Sequence, residues 1–174
     1  MTNKKQIYIG IPATLVFLVG VFFLTRWLIT PPSKPSVHYH AGFVVFENNK
    51  KLDFSDSKYM YIEPCTSGDK TNDTPAQVQI EKAHLHDNIG DLIHIEQAGA
   101  IWQNLFTNMG FVMNYSSTTG FINGKTTTEW QLQPIKPFDS LVVFIGNEDP
   151  KLLQQAVTKD YMMAQANKST TCGG

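Results

Sequence analysis

Cysteine is nearly absent from this chain. Cys65 and Cys172 are the only two among 174 residues, and neither stands in a metal-type spacing. Thiolate-built zinc sites and iron–sulfur clusters are therefore excluded. In an oxidising compartment the pair can form a disulfide, closing a long loop worth on the order of 4 kcal/mol. Two free thiols are the equal alternative, because Cys172 falls in a polar C-terminal tail. An excess of one charge sign is lacking too. Lys and Arg number 14, Asp and Glu 15, and the net charge is −1. This leaves no basic footprint and excludes a nucleic-acid partner. Catalytic signatures are also missing: no Gly-x-Ser-x-Gly, no P-loop, no His-Glu-x-x-His and no dinucleotide fingerprint.

Charge disappears entirely from Ile7 to Thr25, where Ile, Val, Leu and Phe dominate. A helix of that length spans about 28 Å, close to the hydrocarbon thickness of a bilayer. The run extends to Ile29, with Arg26 placed to snorkel and Trp27 at the interface. It is too long for a cleaved signal peptide, and no Ala-x-Ala site follows. Residues 7–29 are thus expected to form a transmembrane helix, with the lipid bilayer as partner. Lys4 and Lys5 precede the uncharged run and Arg26 and Lys34 come after it, so flanking charge is nearly balanced. The short N-terminus (1–6) and long C-terminal part match a signal anchor. The expectation is a single-pass cell-membrane protein, N-terminus cytoplasmic and C-terminal domain outside. Residues 30–36 hold three prolines and read as a stiff linker, 37–166 as one extracytoplasmic domain and 167–174 as a mobile tail. No protein partner is legible.

The domain reads as α+β. A strand is expected over His38–Phe46, a turn over Glu47–Lys50 and a return over Lys51–Phe54. Thr66–Gln77 reads as an exposed loop. Val78–His86 and Leu92–Glu96 read as a second hairpin around Asp87-Asn-Ile-Gly-Asp91. Ile101, Trp102, Leu105, Phe106 and Met109 recur at helical spacing until Gly110, and belong to the core. Phe121-Ile-Asn-Gly-Lys125 is an Asn-Gly hairpin signal. Ser140–Ile145 is a buried strand, and Asp149-Pro150 opens a last helix with Leu153, Ala156, Val157 and Tyr161 on one side. The expected architecture is one antiparallel sheet packed on a central helix, β-grasp-like, with a cupin-like β-barrel as the alternative.

What the sequence does concentrate is histidine. All five stand in two His-x-His pairs, His38/His40 and His84/His86, plus His94 on the return strand. Side chains alternate along a strand, so each pair shares one face. In the second hairpin His84 should face His94, with Glu96 on the same side and Ala83, Leu85, Ile93 and Ile95 on the apolar other. Burial of that apolar face fixes the register. Neutral imidazoles suit zinc, copper, nickel or iron. His84, His86 and His94 can occupy three corners of a tetrahedron, and His38 and His40 join if their strand lies alongside. Asp87 and Glu96 are the supporting carboxylates. Partly exposed strand histidines, or a hydrogen-bonded cluster around water, are the alternatives. His84-Leu-His-Asp-Asn88 resembles the metallo-β-lactamase motif only superficially: no histidine comes after Asp87.

Val37-His-Tyr-His-Ala41, Ala83-His-Leu-His-Asp87, Gly90-Asp-Leu-Ile-His-Ile-Glu96, the helix around Trp102 to Gly110, Phe121-Ile-Asn-Gly-Lys125 and Phe138–Gly146 occur together. The combination resembles an uncharacterised family of membrane-anchored ectodomains of bacteria and archaea. The resemblance implies the architecture and assigns no activity. The residues support three functional readings: a domain that binds a transition metal, zinc or copper leading, without catalysis; a metal-free envelope interaction module; and a metal-dependent hydrolase with Glu96 or Asp87 as general base.

Overall fold

A computed structural model describes residues 19–22, 25, 37–62 and 73–168. Most of the expected membrane span, the linker, Cys65, Cys172 and residues 169–174 lie outside the described residues. Residues 19–22 and 25 are helical and exposed. Among the described residues, no helix is long and apolar enough to cross a membrane. The chain divides into two units, residues 1–34 and residues 35–174.

The unit of residues 35–174 is α+β, built on one mixed sheet. Its strands are β1 (Tyr39–Glu47), β2 (Lys50–Lys51), β3 (Leu92–Ile95), β4 (Thr118–Ile122), β5 (Lys125–Thr127) and β6 (Ser140–Ile145). The order is β2-β1-β6-β4-β5, and β3 pairs with the first half of β1. The expected all-antiparallel sheet is not what forms, because β1 and β6 run parallel over Gly42–Glu47 and Ser140–Ile145. The order has two ends among the described residues, so the barrel alternative is not realised. β1 and β6 are the central pair, and residues 43–46 and 141–144 are buried without alternation, as expected for strands covered on both faces.

Local chemistry explains the turns. Asn48 and Asn49 both take positive φ, 49° and 66°, and so do Asn123 and Gly124, at 51° and 75°. These are type I′ hairpin turns, which Asn and Gly tolerate at least cost. The β2 return is shorter than the expected Lys51–Phe54.

The helices depart further from expectation. α1 (Pro75–Glu81) occupies ground read as loop and strand. Thr74 and Gln77 form a reciprocal capping box, with Pro75 at the first helical position. Only His84 and Leu85 of the expected strand make bridges. α2 (Trp102–Asn108) is the expected central helix. Gly110 ends it at φ 65°, with Phe111 N bonding Phe106 O and Gly110 N bonding Thr107 O. The expected last helix is interrupted. Pro150–Gln155 is a 3-10 helix, and α3 (Lys159–Ala166) starts afresh at its Thr158 cap.

Both faces of the sheet carry core. On one, Phe43, Val45, Ile93, Ile95, Leu141 and Val143 pack with Trp102, Leu105 and Phe106 of α2. On the other, Val44, Phe46, Leu92, Val142 and Phe144 pack with Val157 and Met162. Full burial of each such side chain contributes about 1.5–3 kcal/mol. This second face is also the one that carries histidine. Along β1 it continues past Gly42 to His40 and His38, and along β3 from Leu92 to His94.

Candidate metal centre

Three backbone segments bring the five histidines together. His84 and His94 form an antiparallel bridge, each N–H donating to the other's carbonyl at 3.1 and 2.9 Å. His94 also lies opposite His40 in the β1–β3 ladder. A strand residue points its N–H and C=O to the same side. With His94's backbone committed to His84, its pairing with His40 is the non-hydrogen-bonded kind, where side chains stand closer. The ring positions agree: His94 and His40 centroids are 4.5 Å apart and His94 and His84 6.0 Å. Within each His-x-His pair the rings meet edge to face, at 4.9 Å for His38/His40 and 4.6 Å for His84/His86. His94 also meets His86 at 5.1 Å and His38 at 6.3 Å. It is the middle ring of a file that runs from the exposed His38 into the protein.

The apolar companions fall where strand alternation puts them: Ala83, Leu85, Ile93 and Ile95 are all in the core on the opposite face. The turn that sets this register is pinned on both flanks. Asp87 and Asn88 take positive φ, and Asn88 Nδ2 donates to Ser55 O at 2.9 Å. A Cβ on Gly90 would stand 2.5 Å from the Phe54 carbonyl carbon and the Ser55 nitrogen, so only glycine lets these backbones approach.

The trio that converges differs from the hairpin trio expected from sequence. Nitrogens of His38, His40 and His94 all lie within 4.8 Å of one another. A tetrahedral zinc with Zn–N near 2.05 Å separates its ligand atoms by about 3.3 Å. Closing onto an ion therefore asks for movements of about 1.5 Å or less, and His38, exposed and one residue before β1, is the ring freest to make them. His84 and His86 stand on the other side of His94. Asp87 is exposed on the turn, Glu96 is buried beyond His94, and the convergent trio includes neither.

His94 is 1% exposed, and both of its ring nitrogens are buried with no hydrogen-bond partner among the described residues. A neutral imidazole offers one donor and one acceptor, and leaving either buried and unmet costs about 1–3 kcal/mol. A metal ion on one nitrogen removes half of that deficit. Burial, then the neighbouring His40, His86, His84 and His38, holds the His94 pKa down to about 2. Burial first and His38 second take His40 down to about 4. His86 is lowered by burial too, against the opposing pull of Asp87 and a backbone bond to Tyr61. Neutral imidazole is the ligand form, and these environments favour it.

Two residues that the sequence pattern did not single out organise the inner side. The Tyr61 ring lies 5.2 Å from His84 and 5.7 Å from His86. Asn108, at the end of α2, donates through Nδ2 to the carbonyls of Gln79, Ile80 and Ala83 at 2.9, 3.1 and 2.7 Å. Those carbonyls end α1 and lead into His84. The Ile80 carbonyl also accepts from His84 Nδ1 at 2.9 Å, which places the ring proton on Nδ1 and the lone pair on Nε2. Asn108→Ala is expected to lower stability by about 1–3 kcal/mol, read as a drop in the denaturant midpoint at unchanged slope. An unchanged midpoint would show that water replaces the amide.

The histidine file is one connected structure, and three of its members stand close enough together that they could hold a metal ion. No family model, curated protein or solved structure matches this chain.

Proposed function

We propose that this domain binds a late first-row transition metal, zinc or copper, through His38, His40 and His94, without catalysis. The observation that carries the reading is the pair of buried, unsatisfied nitrogens on His94 beside two convergent imidazoles. An all-imidazole set favours zinc or copper over calcium or magnesium, which take oxygen. Three protein ligands leave a fourth position open to water or a partner's group.

The finer architecture belongs to the same proposal. The order β2-β1-β6-β4-β5, with parallel first and last strands flanked by two hairpins, supports a β-grasp-like domain. We also infer, from the uncharged stretch Ile7–Thr25, that the chain is a single-pass membrane protein with this domain outside the cell, as in the bacterial and archaeal ectodomain family it resembles.

The test is elemental analysis of the full-length chain in mild detergent, beside a thermal-shift panel of zinc, copper, nickel and manganese. At least one tightly held equivalent is expected, together with a raised Tm, since an ion that binds only the folded state stabilises it. His38→Ala and His40→Ala should each reduce both. No metal near one equivalent, with identical melting curves across the panel, would end this reading and leave the histidine face to an interaction role.

A further inference from the structure

We propose that His94 is shared between two metal positions: an outer one completed by His38 and His40, and an inner one, on its far side, completed by His84 and His86. This rests on the metal-binding reading of the outer trio. A single ion accounts for only one of the two buried nitrogens of His94, and the other stays unsatisfied. A second ion accounts for it. The ring arrangement is matched on the two sides, although among the described residues only the outer trio already has its nitrogens within 4.8 Å of one another. Each side supplies a His-x-His pair whose rings meet edge to face, at 4.9 and 4.6 Å. From each pair one ring approaches His94 edge to face, His40 at 4.5 Å and His86 at 5.1 Å. The other ring of each pair lies nearly parallel to it, His38 at 20° and His84 at 11°.

The inner pair is prepared for ligation. His84 donates from Nδ1 to the Ile80 carbonyl, the backbone anchor typical of metal-bound imidazoles, and this directs Nε2 to an ion. A cavity of about 150 Å³, lined in part by Tyr61, Met109 and His84, lies on the His84 side of the pair. The ligand class is a divalent ion that accepts nitrogen donors, copper(II) or zinc(II). When both positions fill, His94 donates a lone pair from each nitrogen. Its single ring proton leaves to solvent, and no electron is transferred.

The experiment uses the full-length, metal-stripped chain in detergent, titrated with copper(II). Bound metal is counted by equilibrium dialysis, and electron paramagnetic resonance counts the spins. Wild type should hold two equivalents yet show well under two spins, because ions joined through one imidazolate couple magnetically. The double variant His84→Gln/His86→Gln should hold one equivalent with one full spin, and that retained equivalent reports that it has folded. One equivalent in wild type, unchanged by His84→Gln/His86→Gln, overturns the inner position and leaves the outer site standing. Two equivalents with two full spins overturn the sharing of His94. No bound copper overturns this inference and the metal reading together. Should the double variant fail to fold, the wild-type count and spin intensity decide alone.

Discussion

His94→Leu is expected to abolish metal binding and leave the metal-free protein as stable as wild type, or more so. His94 touches both histidine pairs, so its loss should weaken binding by at least about 100-fold, near 2.7 kcal/mol. Most core substitutions that remove function also remove stability. Here the two separate, because the wild-type residue brings two buried nitrogens that no group among the described residues satisfies. Leucine is close in volume and carries no polar atom. Replacing an unmet polar group by an apolar one of similar shape is neutral or favourable. The stripped variant should therefore melt at or above stripped wild type, and added zinc or copper should not move it. If His94 is instead a packing element, the variant will melt below stripped wild type. At about 2–4 °C per kcal/mol for a protein of this size, such a loss is readily measured.

The residues that were readable from sequence are those whose partners are close in the chain. His84 opposite His94 follows from alternation and an Asx-rich turn between them, and the two form a bridge. The Asn123-Gly124 turn and the end of α2 at Gly110 are set by single residues at positive φ. Pairings across the whole domain were not readable. Nothing local in Gly42–Glu47 shows that it runs parallel to Ser140–Ile145, or that the front half of β1 also borders β3. That second contact decides which histidines converge, and so the trio His38, His40 and His94 was not separable from His84, His86 and His94. α1 departs from expectation for a different reason. Its alternating Val78, Ile80 and neighbours suit a strand, while Thr74-Pro75 with Gln77 at the third helical position is the stronger signal and starts a helix. Asn108 left no signal, since its role consists of closing off backbone carbonyls of another segment.

Acid should destabilise the metal-free protein, and His94→Leu should blunt the effect. In the unfolded chain a histidine titrates near 6.5. In the fold, burial and neighbouring imidazoles put His94 at about 2 and His40 at about 4. Between those limits the unfolded state carries a proton that the folded state refuses, so stability rises with pH. The histidine contribution is fully present above about 6.5. It is lost as pH falls towards about 4 for His40, and further down for His94. Each group adds a slope of up to about 1.4 kcal/mol per pH unit. His40, partly open to water, falls short of that limit. The rings facing His94 are His38 just before β1, His40 from β1, and His84 and His86 from the opposite segment, and no carboxylate is among the causes of its shift. Carboxylates elsewhere also respond to acid, so the informative quantity is the gap between wild type and His94→Leu. Denaturant unfolding of both, with chelator present, should show that gap moving in the variant's favour between pH 7.5 and 4.5, by on the order of 2 kcal/mol. A gap that stays constant across the range would mean that His94 takes up its proton in the folded state as readily as in the unfolded one. The ring would then have to reach water, and its two nitrogens would no longer call for an ion.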